Sequence, residues 1–253
     1  MSRFKVVIPA RFGSSRLPGK PLAEIAGAPM IQHVWERASA SGAAEVIVAT
    51  DDERIFEACD SFGASAMMTA PSHASGTDRI AEVALSAGWR DEDLVVNVQG
   101  DEPLIPPANI AQVASMLNSR PSAEMATLCT GINSLEEYLD TNTVKVVRAQ
   151  DGRALYFSRA PVPWHRDSAP SGLSSQTRYR DSLRHIGIYG YRVGALHRLA
   201  ATPPCPLEAA ESLEQLRALW IGFTILTDIA AENPGPGVDT PEGLESVRRL
   251  MEP

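Results

Sequence analysis

Cysteine is scarce in this chain, three residues in 253, and Cys59, Cys129 and Cys205 stand far apart with no CxxC pair and no histidine at a ligand interval. A disulfide framework and a spaced zinc module are thereby excluded, and reduced thiols are expected. Long apolar runs are missing too: the first one stops at Pro9, and none approaches the roughly 20 residues of a membrane span. A soluble, cytoplasmic protein without membrane insertion is expected. There is no excess of positive charge, the formal net charge being -8, so no basic nucleic-acid footprint exists and any anion must be met by a local cluster. Two nucleotide signatures are absent as well. No G-x-G-x-x-G follows the first apolar run, which argues against a dinucleotide-dependent dehydrogenase. The stretch "VVIPARFGSSRLPGKP", residues 6–21, fails as a P-loop, because Gly13 and Gly19 are one residue too far apart and Pro21 replaces the metal-binding hydroxyl.

What is present begins with 44% hydrophobic residues, enough for a substantial core, at a length that suits one domain over residues 1–253. In the first half "FKVVIPA", "EVIVATD", "SAMMTA" and "DLVVNVQGDEP" alternate with helical patterns around 29–41, 52–62 and 77–88. The spacing predicts βαβ units and a mostly parallel sheet with ligands beyond the carboxyl ends of its strands. In the second half "MATLCTGI", "TVKVVRA", "ALYFSR" and "RHIGIYGYR" follow one another around a single helical segment at 134–140. An antiparallel or mixed extension of the sheet is expected there. The polar segment 165–182 reads as a mobile surface loop, followed by a helix at 207–220, a strand at 223–229 and a final helix from about 240.

Arg11, Arg16 and Lys20 lie in the glycine-containing loop after the first strand, with Gly13, Ser14, Ser15 and Gly19. Guanidinium forks, an ammonium and backbone N–H groups suit a polyphosphate. Asp101 and Glu102 end an apolar strand in "VVNVQGDEP", where a carboxylate either caps the next helix or ligates magnesium beside substrate phosphate oxygens. "GVDTPEGLESV" offers Asp239 or Thr240 as a cap before Pro241, and Asp239 is equally open to a metal role. In "LEAAESLEQLRALW", Leu213, Leu216 and Trp220 form an apolar stripe, while Glu211 and Gln215 share another face at i, i+4 spacing. "RHIGIYGYR" sets His185, Gly187, Tyr189 and Tyr191 on one strand face; a hydroxyl-rich ligand or a half-exposed strand explains it.

Taken in order, "IPARFGSSRLPGKPL", "SGTDR", "VNVQGDEP", "VKVV", "ALYFSR", "RHIGIYGYR", "ESLEQLR" and "GVDTPE" resemble the 3-deoxy-manno-octulosonate (Kdo) cytidylyltransferases, or CMP-Kdo synthetases, over nearly the whole chain. The resemblance implies a Rossmann-like nucleotide-diphospho-sugar transferase fold. It implies transfer of CMP from CTP to the sugar acid Kdo with release of pyrophosphate, dependence on Mg2+, a homodimer, and a place in lipopolysaccharide biosynthesis. It places Arg11, Ser14, Arg16 and Lys20 on the triphosphate, and Ser75, Gly76 and Arg79 at the base. It assigns Asp101 and Asp239 to the metal, so that with Arg16 and Lys20 they carry the catalysis. Gln99, Arg159, His185, Tyr189, Glu214 and Gln215 line the sugar-acid pocket. Asp78 stands where the family often has Glu, with the charge kept, and Gly243 where it often has an acid. The competing readings are a relative acting on a sialic acid or an 8-amino analogue of Kdo, and a silent nucleotide-binding module.

Overall fold

The β-branched runs of the first half become strands buried on both faces, which a sheet covered by helices on both sides requires. A computed structural model describes residues 3–13, 17–73, 75–169 and 171–251. In β1 (Phe4–Ala10) the neighbours Val6, Val7 and Ile8 are all fully buried. A small hairpin, β2 (Glu24–Ile25) with β3 (Ala28–Pro29), leads into α1 (Met30–Ser39). Then come β4 (Glu45–Thr50), α2 (Glu53–Ser61), β5 (Ser65–Met68), α3 (Gly76–Ser86) and β6 (Leu94–Asn97). Two of these helices start where their sequence says they should. Asp52 accepts from the Arg54 N–H at α2, and Ser75 and Asp78 form a reciprocal capping box at α3.

The second half adds α4 (Pro107–Ser119), β7 (Met125–Gly131), α5 (Leu135–Leu139), β8 (Lys145–Arg148), β9 (Ala154–Ser158), β10 (Leu183–Arg192), α6 (Val193–Ala200), α7 (Pro206–Glu211), α8 (Gln215–Trp220), β11 (Ile225–Ile229) and α9 (Pro241–Met251). The main path of the sheet is β11-β7-β10-β6-β1-β4-β5. Pairs β1/β4, β1/β6, β4/β5 and β7/β11 are parallel, and β10 is antiparallel to both its neighbours. Along that path β10 alone runs against the rest, so the expected mostly parallel sheet is present. The antiparallel extension is present too, as β10 pairs β8 and β8 pairs β9.

Alternation along β1 divides the core in two. Val6 and Ile8 join α1, α2 and α4 on one face, while Val7 joins α3, α6 and α8 on the other. Each fully buried side chain of this size contributes about 1.5–3 kcal/mol. A third, smaller cluster of Ile25, Met30, Val238, Leu244 and Val247 docks α9 against the β2-β3 hairpin. The three cysteines are buried and free.

Three sequence expectations are corrected. A helix, α4, stands between β6 and β7 where none was assigned, although Ile110, Val113, Ala114 and Leu117 have helical spacing and Pro107 sits at its first turn. It packs so closely that a Cβ on Gly190 of β10 would lie 2.6 Å from Val113 Cγ1. A further helix, α6, follows β10 directly. The single helix expected over 207–220 is two, because Ser212 adopts a left-handed conformation with φ 51°. Leu213 and Leu216 are buried while Trp220, the last residue of α8, is exposed, and the break ends the shared face of Glu211 and Gln215. The segment 165–182 contains two short 3-10 turns and is tied by the buried Gln176, whose Oε1 accepts from Ser168 Oγ at 2.6 Å and from the Thr177 N–H at 3.1 Å.

Candidate active site

Beyond the carboxyl ends of β1 and β6 lies a cleft of about 230 Å³ walled by Arg11, Lys20, Gly76, Gln99, Gly100 and Asp101. The strand ends can approach because residue 100 is glycine: a Cβ there would meet the Pro9 carbonyl at 2.8 Å. The loop after β1 is closed by the Gly19 N–H on the Phe12 carbonyl at 3.0 Å, and left-handed Gly19 turns the chain into Lys20. Lys20 Nζ then reaches Asp101 Oδ2 at 2.5 Å and Asp239 Oδ1 at 3.3 Å.

Two aspartates remote in sequence thus converge on one cation. Backbone pairing is what joins them, since the Val238 N–H donates to the Asp101 carbonyl at 2.8 Å while Val238 is buried in the α9 cluster. The negative field they leave is visible on their neighbour. Burial, reinforced by Asp101 and Asp239, pushes the Glu102 carboxyl up to about 7. Among the described residues no group of three or more His, Cys, Asp and Glu could hold a metal ion. Two carboxylates with open space beside them fit magnesium, which commonly takes one or two carboxylates and completes its shell with water and phosphate oxygens.

At the cleft's other wall, Arg11 Nη2 donates to the carbonyls of His73 at 2.5 Å and Ser75 at 3.4 Å. Gly76, the first residue of α3, lines the cleft, so the positive end of an eleven-residue helix faces it. Arg79 is not there. The guanidinium expected at the base is fully buried and bound to Asp51 at 2.8 Å and to Thr69; its position one turn into α3 points it into the protein, where it braces the β4 and β5 ends. Ser14 and Arg16 lie outside the described residues.

A second cavity of about 150 Å³ adjoins the first, and Gly76 and Gln99 line both. Its polar walls are Tyr189 and Tyr191 from β10, Asn97 from β6, Thr77 from α3, Glu214 just before α8 and Gln215 at its first position. Asn97 Oδ1 and the Tyr189 hydroxyl are buried with no hydrogen-bond partner among the described residues. Burial raises Glu214, against hydrogen bonds from Thr77 and Ser75 and the charge of Arg217. Arg217 also spans the helix break to Glu208 at 3.1 Å, which fixes where Glu214 and Gln215 enter the wall.

The expected residues divide here. Gln99, Tyr189, Glu214 and Gln215 line the cavity. His185 backs it: its ring packs edge-on to Phe157 and against Tyr189, its Nε2 lies 2.9 Å from Thr127 Oγ1, and burial pulls its pKa down to about 3, so it is neutral. Arg159 is not brought into the wall. It donates to the Glu211 and Thr141 carbonyls at 2.7 and 3.0 Å, and Glu211 in turn accepts from Ser158 Oγ at 2.6 Å and from the Arg159 N–H at 2.8 Å. Asn97 and Thr77 were missed. Their signal was weak: a polar residue at the end of the apolar run "LVVN", and one beside the "SGTDR" glycine.

A mostly parallel α/β sheet, a basic loop and helix start around paired aspartates, and an adjoining polar pocket define a nucleotidyltransferase. A family model described as Cytidylyltransferase matches residues 5–229, and the chain belongs to that family. It is 56% identical over 252 residues to a 3-deoxy-manno-octulosonate cytidylyltransferase of Pseudomonas syringae pv. syringae, covering 98% of each chain. A protein of the same name from Halorhodospira halophila is 53% identical over 98% of this chain and 97% of its own. Among solved structures, a CMP:2-keto-3-deoxy-manno-octonic acid synthetase complexed with CTP superposes with a TM-score of 0.89 at 47% identity, covering 99% and 98% of the two chains. A 4-diphosphocytidyl-2C-methyl-D-erythritol synthase shares the fold alone, at TM-score 0.66 and 15% identity over 100% of this chain and 99% of that one.

Proposed function

We propose that this cytidylyltransferase transfers CMP from CTP to the anomeric hydroxyl of Kdo, giving CMP-Kdo and pyrophosphate and so activating the sugar for lipopolysaccharide biosynthesis. One observation carries the reading: a charged cleft and a polar pocket meet at Gly76 and Gln99, in a chain over half identical to relatives of that name. CTP lies in the cleft and the sugar acid in the pocket, so the reacting hydroxyl and the α-phosphorus face each other where the two join. The sugar oxygen bonds to the α-phosphorus as the bond to the leaving pyrophosphate oxygen breaks, with loss of the hydroxyl proton.

Charge on the phosphate oxygens is met by Arg11, by Lys20 and by the start of α3. Holding both substrates in place converts a bimolecular encounter into a local one. Asp101 and Asp239 would hold Mg2+, which when bound supplies charge neutralisation on the phosphates and lowers the pKa of a hydroxyl coordinated to it. Tyr189, Asn97, Gln99 and Gln215 hydrogen-bond sugar hydroxyls, which supplies the partner that Asn97 Oδ1 and the Tyr189 hydroxyl lack among the described residues. A homodimer and a cytoplasmic location are proposed on the resemblance; no helix among the described residues is long and apolar enough to cross a membrane.

The test is pyrophosphate release from CTP with Mg2+ and Kdo, a sialic acid or 8-amino-Kdo in parallel. Turnover is expected to be highest with Kdo. Release only with another sugar acid would reassign the pocket, and release with none would leave a nucleotide-binding module.

A further inference from the structure

The pocket proposed for the sugar acid is itself lined by a carboxyl group, that of Glu214, and among the described residues by no basic side chain. A cation stands behind that wall. Arg217, one turn further along α8, is buried and lines neither cavity. Its guanidinium is shared: Nη2 lies 3.6 Å from Glu214 Oε2 and Nε 3.1 Å from Glu208 Oε2 of α7, while Nη1 donates to the Thr202 carbonyl at 2.7 Å. The Nε–H finds no hydrogen-bond partner among the described residues, so what Nε gives Glu208 is charge rather than a directed bond. The break at Ser212 makes this cluster. In an unbroken helix Glu208 and Arg217 would stand about 13.5 Å apart along the axis and on opposite faces.

Both charges are felt in the pocket. Burial raises the Glu214 carboxyl and the Arg217 charge acts against that rise. Burial and Glu214 raise the Tyr191 hydroxyl, and Arg217 again opposes them. In a cavity of about 150 Å³ a bound carboxylate lies close to Glu214 wherever it sits, and repulsion between like charges at that range decides affinity. We propose that Arg217 is a specificity-determining residue for the anionic sugar: its buried guanidinium offsets Glu214 so that the pocket admits an acid, and Glu208 draws off part of that charge. The inference rests on the pocket being the sugar-acid site.

Steady-state kinetics of Arg217→Gln, Arg217→Lys and Glu208→Gln, with Kdo varied at saturating CTP and Mg2+ and then the reverse, tests it. Arg217→Gln is expected to raise the KM for Kdo about tenfold and to leave that for CTP within about twofold. Arg217→Lys keeps the charge and should stay within about threefold of the wild-type KM for Kdo. Glu208→Gln keeps an acceptor for the Cys205 N–H and breaks the same ion pair, but it returns the whole cation to Glu214. The KM for Kdo should then fall about threefold. A residue that only braced the fold would give a rise in both variants. An unchanged or raised KM for Kdo in Glu208→Gln would overturn the proposal, and this variant decides alone if Arg217→Gln fails to fold. Equal rises in the two KM values of Arg217→Gln would overturn it as well. So would a full tenfold effect of Arg217→Gln added to Glu214→Gln, where no carboxylate is left to offset. A wild-type protein that releases no pyrophosphate with Kdo or another sugar acid would instead sink the reading of the pocket.

Discussion

The cleft and the pocket share Gly76 and Gln99 as a wall, yet opposite means build them. In the cleft, charged side chains on loops reach out from strand ends: Lys20 bridges Asp101 and Asp239, and the Asp239 side chain is 60% exposed. In the pocket, enclosed groups present polar atoms, Asn97 Oδ1 and the Tyr189 hydroxyl, that meet no hydrogen-bond partner among the described residues. Lys20 offsets only part of the aspartate charge in the cleft, so substrate must displace Lys20 from its carboxylates or add a cation between them. The pocket's polar groups already stand on its walls for a hydroxyl-bearing ligand, which takes the place of water there.

Charge is therefore the place to break the cleft. Asp101→Asn keeps the shape and removes one of the two converging carboxylates. Turnover with CTP, Kdo and Mg2+ is expected to fall about 1,000-fold, the scale for removing a group that organises charge in the transition state. Stability should change by no more than about 1 kcal/mol, because the Lys20 pair is partly exposed and such pairs contribute little. Pyrophosphate release and thermal melts measure the two, and retained magnesium-dependent turnover in Asp101→Asn would remove the ligand role.

The same contrast decides what could be read from the sequence. The sheet and its polarity were legible, because strands buried on both faces leave continuous β-branched runs such as "VVI" and "VIVA". The cleft was largely legible too, since Arg11 and Asp101 stand just past such runs and Lys20 ends the glycine-containing loop after the first. Asp239 was not, because only the Val238 pairing and the α9 cluster bring it to Asp101, and spacing says nothing about contacts across more than a hundred residues. The pocket was legible only through family resemblance. Its Glu and Gln come from a helix break at Ser212, where no glycine or proline announces one, and Arg79 and Arg159 were misplaced because a basic residue in a motif looks the same whether it meets ligand or braces the fold.

Hydroxyl removal separates the two regions a second way. Tyr189→Phe deletes a buried group that has no hydrogen-bond partner among the described residues, so it should leave stability unchanged or raise it by up to about 1 kcal/mol. The KM for Kdo should rise about tenfold while that for CTP holds, as expected when one hydrogen bond to substrate is lost. A loss of stability above that range would mean the hydroxyl is satisfied within the fold and the pocket is less open than the contrast requires.

The smallest effect concerns the break itself. Ser212 is exposed and sits at φ 51°, a conformation that costs non-glycine residues about 1–2 kcal/mol, more for a β-branched side chain. Ser212→Gly removes that cost but adds freedom to the unfolded chain, so a net gain of about 0.5 kcal/mol is expected. Ser212→Val should lose about 1 kcal/mol. Denaturant melts give both numbers, and opposite signs at an exposed position locate the effect in the backbone. If the turn alone sets Glu214 and Gln215 in the wall, Ser212→Gly keeps the wild-type KM for Kdo. A rise in that KM would show that the strained residue holds the pocket's geometry as well as its chain direction.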